Sequence, residues 1–337
     1  MWALQNHTAY SAERNWTRDK NGVHWWIVAV QATFDIAEDG GLSLAKAQPS
    51  PVLAPEYFGE AGKSSVRVGS DLQQPKPGTD ILVIGSAYAP HGKPAATVPV
   101  VLHIADQQKK LLVHGERVYF EGPTGLQTSA PQPFTTRPIR YEQAFGGSDY
   151  SDADPQNHRI DERNPIGRGF ARHNSVLQNM PAHCIEYASG DPAKTGPAGF
   201  GPTDSAWLPR RNWAGTYDQH WEQTKKPLLP DDYEPAFAMS APADQQMSPP
   251  LVGGDRIGLV NMTPGGSLVF DIPHIKLGFE SSFRKRRESH PSHLTTVLVE
   301  SDEQRLSLVW QSCLRVAAPE VDYLDATVIT EEANGPE

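Results

Sequence analysis

The sequence predicts a mainly β protein, and three observations carry that prediction: an excess of turn formers, short apolar blocks of β-branched and aromatic residues, and turn signals between those blocks. The 28 Gly and 30 Pro make up about 17% of the 337 residues, against roughly 12% in average usage, which favours turns and short strands over long helices. Hydrophobic residues at 38% and charged residues at 21% fall below their usual shares. The apolar residues nevertheless gather in blocks able to bury a core, which argues against wholesale disorder. The expected architecture is an antiparallel, sandwich-like β core made from N- and C-terminal hairpins, covered by a long middle region rich in loops, Gly, Pro and aromatics. We read residues 1–330 as one unit with an N-terminal β region (1–120), an irregular region (121–250) and a C-terminal β region (251–330), followed by a polar tail (331–337). Whether that unit is one composite domain or two stays open at this point.

Taking the elements in order, Trp25 to Ile36 is dense in β-branched and aromatic residues. The turn formers Glu38-Asp39-Gly40-Gly41 then precede Leu42 and Leu44, which together predict a hairpin. Ile81 to Ile84 is a continuous apolar run stopped by Gly85 and Pro90, the pattern of a short buried strand. Val98, Val100, Leu102 and Ile104 alternate with other residues, turn at Asp106-Gln107-Gln108, and return through Leu111, Val113 and Val118 to Phe120, a second hairpin with one face inward. In the C-terminal third, Arg256 to Val260 and Ser267 to Ile272 flank the turn tetrapeptide Thr263-Pro264-Gly265-Gly266. Leu294 to Val299 and Leu306 to Trp310 flank Ser301-Asp302-Glu303-Gln304 in the same way. The irregular middle carries many aromatics, which argues for order there. Short helices are expected at 218–225 and 232–239, each with an acidic residue able to cap its start.

Charge and motifs exclude several function classes. With 40 acidic against 30 basic residues the formal net charge is −10, which repels polyanions at long range, so nucleic acid is not an expected partner. The N-terminus has no basic and apolar leader, and the run Val23 to Phe34 is too short to span a bilayer, so neither secretion nor a membrane partner is expected and the location is read as cytoplasmic. Cys184 and Cys313 stand in no redox or metal spacing, which fits two thiols in a reducing compartment, with one structural bridge left open. Gly59 to Ser64 ends like a phosphate-binding loop but has Tyr57 where the leading Gly belongs, so a polar turn is expected.

Asp149, Asp152, Asp154, His158, Asp161 and Glu162 gather the ligand types of a hard cation without the calcium-loop spacing. An acidic solvated loop is the expectation there, and a metal-dependent hydrolase using Asp152 to Glu162 is the enzymatic alternative. His290 and His293 are separated by Pro291, which prevents the helical presentation of a zinc His-Glu motif. The run Arg284-Lys285-Arg286-Arg287 is expected to be a solvated loop between strands, with a grip on phosphates or docking of an acidic partner as the other possibilities.

Three middle blocks mix an aromatic with Gly or Pro: Tyr141 to Gly147, Asn164 to Phe170, and Ala198 to Pro202. Each can fix an unusual backbone path while burying a ring, and each either pins a loop to the core or serves an interface. With Trp25-Trp26, Ser70-Asp71-Leu72, Lys76 to Asp80, Trp207, Pro209-Arg210, Ala214 to Asp218 with Trp221, Asp244-Gln245-Gln246 and Gly253-Gly254-Asp255, they form an ordered series over most of the chain. Through that series the sequence resembles a bacterial family originally catalogued as a domain of unknown function and associated with the type VI secretion system as effector adaptors or chaperones. The resemblance implies a stand-alone, non-enzymatic protein with no cofactor and no catalytic or metal-binding residues. It implies a protein partner, a secreted toxin effector or its N-terminal region, together with the secretion spike. The blocks offer Tyr141, Phe145, Asn164, Arg168, Phe170, Phe200, Trp207, Arg210, Tyr217 and Trp221 as candidate partner-binding residues. A carbohydrate-binding β module using exposed tryptophans is a further alternative.

Overall fold

Thirteen residues from His24 to Ile36 form the longest strand because β-branched and aromatic side chains fill it with no breaker until Glu38, and every residue from Trp26 to Phe34 is buried. The computed structural model describes residues 1–332, and the strands of its three large sheets, in chain order, are β1 (Ala3–Asn6), β2 (Ser11–Arg18), β3 (His24–Ile36), β4 (Leu42–Leu44), β5 (Thr79–Ile84), β6 (Thr97–Ile104), β7 (Gln107–His114), β8 (Ile185–Tyr187), β9 (Gln246–Met247), β10 (Arg256–Val260), β11 (Ser267–Asp271), β12 (Leu277–Phe283), β13 (Arg287–His290), β14 (Ser292–Glu300), β15 (Arg305–Val316) and β16 (Leu324–Glu331). A seven-stranded sheet runs β9-β5-β14-β15-β3-β2 with β4 added to β3, a five-stranded sheet runs β8-β7-β6-β10-β11, and a four-stranded sheet runs β1-β16-β12-β13. Pairing is mostly antiparallel; β5 with β14 and β1 with β16 are parallel. The fold is mainly β, and strands from the two ends of the chain lie side by side in all three sheets.

One core joins the sheets. Val98, Val100, Leu102 and Ile104 on β6 point into it at every second position, as the alternation predicts, and meet Trp26, Val28 and Val30 of β3 and Phe279 of β12 in a single apolar cluster. The opposite face of β3, with Ile27 and Ala29, is also closed, by Leu72 and Val309. That is the structural use of the Ser70-Asp71-Leu72 block: Leu72 seals the outer face of the large sheet. At the β3–β4 turn Gly40 has φ +87°, and a Cβ there would lie 1.9 Å from the Val269 carbonyl oxygen on β11, so only glycine lets the turn lie against that strand.

Four expectations need correction. The second hairpin turns one residue earlier than expected, with Ala105 at φ +49°, and ends at His114. Tyr119 instead opens a separate hairpin, Tyr119–Gly122 with Gly125–Thr128, because Gly115 and the buried Arg117 break the alternation. The helix at Gln219–Thr224 forms with Asp218 capping Trp221, but the second segment is only a 3-10 turn, Pro235–Ala238. Asp232 does not cap it, since its carboxylate accepts from the Thr216 amide and hydroxyl. Finally, Glu331 of the expected tail is the last residue of β16, opposite Leu277, and residues 333–337 lie outside the described residues. Among the described residues no helix is long and apolar enough to cross a membrane.

Candidate functional site

The middle blocks, far apart in sequence, meet in space. Phe145–Gly146 and Arg168–Gly169 form a two-stranded parallel pair, and the fully buried Asn164 locks it by donating from Nδ2 to the Tyr141 carbonyl (2.8 Å) and the Phe145 carbonyl (3.0 Å). A side-chain amide thus supplies donors to both carbonyls, joining the Ala144 amide at that of Tyr141. Gly169, at φ +108°, leaves room for the Tyr119 hydroxyl, 2.0 Å from where a Cβ would stand. Tyr141 is buried, donates its hydroxyl to the Gly201 carbonyl (3.1 Å), and packs edge-on to Trp207 at 5.5 Å. Burial pushes its phenol well above the ordinary tyrosine value.

A second seam fastens this region to the sheets. Gln245, wholly buried, donates to the Ile81 and Phe200 carbonyls (2.6 and 2.9 Å) and accepts from Lys109 Nζ (2.7 Å). Lys109 also pairs with Asp244 at 2.9 Å and lies over the rings of Tyr187 and Phe200. Burial lowers its ammonium to about 8, opposed by the Asp244 charge. Asp80 accepts from Lys76 Nζ (3.0 Å) and from the backbone amides of Ser240 (2.8 Å) and Ala241 (3.1 Å). The Lys76 to Asp80 and Asp244 to Gln246 blocks are therefore the two halves of one buried polar joint.

Of the ten candidate partner-binding residues, Tyr141, Asn164, Phe200 and Trp207 are buried. They shape the loops from beneath. Phe145, Arg168 and Phe170 are half-buried: Phe145 packs edge-on to His183 at 5.7 Å, Arg168 approaches Glu116 at 3.8 Å, and Phe170 lines a cavity of about 380 Å³ with Tyr150 and Met180, both exposed. Arg210 donates to the Thr203 and Phe237 carbonyls (2.7 and 3.0 Å). Tyr217, 53% exposed, sits edge-on to Trp221 at 4.7 Å, and Trp221 donates its indole N–H to the Leu228 carbonyl. The structure thus brings Tyr141, Phe145, Asn164 and Arg168 into one knot with Trp207 against it, and sets Tyr217 and Trp221 in a separate pair.

The charged motifs are engaged locally. Asp149 accepts from Ser151 and from the Arg172 amide, which holds its carboxyl down to about 2. Asp161 takes a two-pronged contact from Arg163, and Asp152 faces Arg172 at 3.3 Å. Among the described residues no three His, Cys, Asp or Glu side chains gather as metal ligands would. In the basic run, Arg286 pairs with Glu288 and Glu320, Arg287 with Glu280, and Arg284 lies over the Tyr323 ring. Gly59 to Ser64 is the polar turn expected, between Glu56–Tyr57 and Val66–Val68. Cys184 and Cys313 are free thiols.

One cluster had no sequence signal. Glu186 accepts from Nε2 of both His114 (2.9 Å) and His183 (3.0 Å) and from Arg117 (3.0 Å), while Tyr119 donates to His183 Nδ1 (2.6 Å). Burial raises its carboxyl, and the two imidazole hydrogen bonds with the Arg117 charge overcome this and hold it well below the usual carboxylate range. The five residues come from three strands and two loops, so only the fold assembles them.

What this arrangement defines is a class: a β-rich protein whose long irregular segment is held in one shape by buried side-chain hydrogen bonds. The chain belongs to the family described as uncharacterized protein conserved in bacteria (DUF2169), whose family model matches residues 21–311. No curated protein and no solved structure matches the chain.

Proposed function

We propose that this protein is a non-enzymatic adaptor or chaperone of the type VI secretion system, which binds a toxin effector or its N-terminal region, stabilises it, and helps load it onto the spike. The observation that carries this reading is the fate of the blocks through which the sequence resembles such adaptors. Asn164, Gln245, Asp80 and Tyr141 are all spent on holding backbone in place, which is what a protein needs if its task is to present a fixed surface. Around that frame Tyr150, Met180 and Tyr217 are exposed, and apolar side chains on a rigid frame suit recognition of a protein segment. The alternatives have less to stand on. The carboxylates from Asp152 to Glu162 are taken up by arginines and backbone donors, and Trp26, Trp207 and Trp310 are buried rather than offered to a sugar.

The test is co-expression of the tagged chain with the products of its neighbouring genes, scoring both capture and the abundance of each neighbour. Capture of a toxin-like neighbour whose level collapses without this protein is the expected result. No captured neighbour and no change in any level would overturn the proposal.

A further inference from the structure

A cleft of about 920 Å³ opens where the four-stranded and seven-stranded sheets part. The parting has a single cause in the chain. β12 pairs with β16 along its whole length from Leu277, but with β13 only between Phe279 and Ser282. After His290 the chain turns at Pro291 and leaves for the other sheet, where Ser292 already pairs with Ser312. Among the described residues, Leu277 and Gly278 of β12 therefore run on with no strand on their β13 side. In an antiparallel ladder, successive residues direct their backbone groups to opposite sides. The Glu332 amide donates to the Lys276 carbonyl, which places Lys276 and Gly278 on the β16 side and turns the N–H and C=O of Leu277 toward the cleft.

The walls say what would fit. Leu251, Ile275, Leu277, Leu294 and Trp310 form an apolar wall among polar neighbours such as Ser289, Ser292 and Thr330, and Val252 on the rim is 64% exposed. The charges at the cleft cancel in pairs, Lys276 with Glu332 and Glu280 with Arg287, so a complementary occupant carries no net charge. His293 spends Nε2 on the Lys76 carbonyl (2.9 Å). A free strand edge beside an uncharged apolar wall selects an extended backbone with apolar side chains at alternate positions, the geometry of strand addition. The volume lies toward the upper end of the ~300–1,000 Å³ typical of ligand clefts. It is larger than the cavity beside Phe170.

We propose that this cleft seats an extended, uncharged segment of the protein partner, which adds as a strand to β12 at Leu277 and rests alternate apolar side chains on Ile275, Leu294 and Trp310. The proposal rests on the adaptor reading and names where that partner binds.

The probe is an uncharged, end-blocked octapeptide alternating Val and Thr, read by hydrogen–deuterium exchange of the full chain with mass spectrometry. At about ten times its Kd the peptide is expected to slow exchange of the fragment spanning residues 275–280 by about tenfold, by mass action, and to leave the fragment spanning 217–224 unchanged. A twin N-methylated on alternate residues, so that it cannot donate to the edge, has no effect. Ile275→Asp abolishes the protection, and Val252→Asp, at an exposed position that leaves the fold intact, weakens it several-fold. No slowing at millimolar peptide, or equal slowing by the N-methylated twin, overturns the site. In the co-expression assay, a neighbour captured undiminished by both variants overturns the site and leaves the adaptor reading standing. Peptide protection without any captured neighbour supports the cleft and overturns the adaptor reading.

Discussion

On β6 every second residue is apolar and buried, with β7 paired along its whole length and β10 along its second half; in the 141–170 segment the Phe145 carbonyl is met by a side chain, that of Asn164, which also joins the Ala144 amide on the Tyr141 carbonyl. The β core is thus specified redundantly, by many similar contacts each worth a little. The loops are specified by single polar groups, each of which satisfies several others. Loss of one group in the core leaves a cavity, whereas loss of one in the loops leaves buried donors or charges without partners. The same number of deleted atoms should therefore cost more in the middle region and unravel it first.

The sharpest way to break that contrast is Asp80→Ala, which strands the Lys76 ammonium and the amides of Ser240 and Ala241. A loss of about 4 kcal/mol is expected in urea denaturation, with hydrogen exchange rising first around residues 240–246. Leu102→Ala, in the middle of β6, is expected to cost about 3 kcal/mol and to raise exchange across all three sheets together. An equal or reversed pattern in the two variants would remove the distinction.

A comparable effect comes from pH. His290, 6% exposed, joins the four-stranded and seven-stranded sheets through Ser281 and Ser312, and burial lowers its imidazole from 6.5 to about 4. Above pH 6.5 it is neutral in folded and unfolded chains alike and carries no penalty. As pH falls from 6.5 toward 4 the unfolded chain takes up a proton that the folded one refuses, so this site removes about 3 kcal/mol of stability over that window, at about 1.4 kcal/mol per pH unit. Denaturation midpoints measured from pH 7 to 4 should fall less steeply in His290→Asn. The smallest effect is expected at Tyr217→Ala, within about 0.5 kcal/mol of the parent chain in thermal melting, since the ring is exposed and supports no backbone.

The strands at 25–36, 81–84, 98–104, 256–260 and 294–299 were legible because apolar periodicity and turn residues are local properties of the sequence. What pairs with what was not: β5 lies beside β14, and β6 beside β10, through contacts between residues 216 and at least 153 positions apart. The middle blocks were legible as unusual, since Gly beside an aromatic has few uses. Their role was not, because whether Tyr141 or Trp207 faces in or out depends on what covers it. The Glu186 cluster left no trace at all, as two histidines, an arginine and a carboxylate in no fixed spacing look like ordinary surface. Lys76 in the loop before β5 and Asp80 on that strand stand four apart, and nothing in that spacing announces that both are buried.

The pairing of β3 with β15, and of β1 with β16, has a consequence for the chain while it is being made. A ribosome adding about 5–20 residues per second releases β3 on the order of ten seconds or more before β15 exists to pair with its edge. Until then β3 has only β2 and β4 as strand neighbours, and its edge toward β15 stays open. Nascent-chain stability should therefore rise late and abruptly, when residues 305–316 leave the exit tunnel, and a chain stalled before that point should be among the most aggregation-prone forms this protein ever takes.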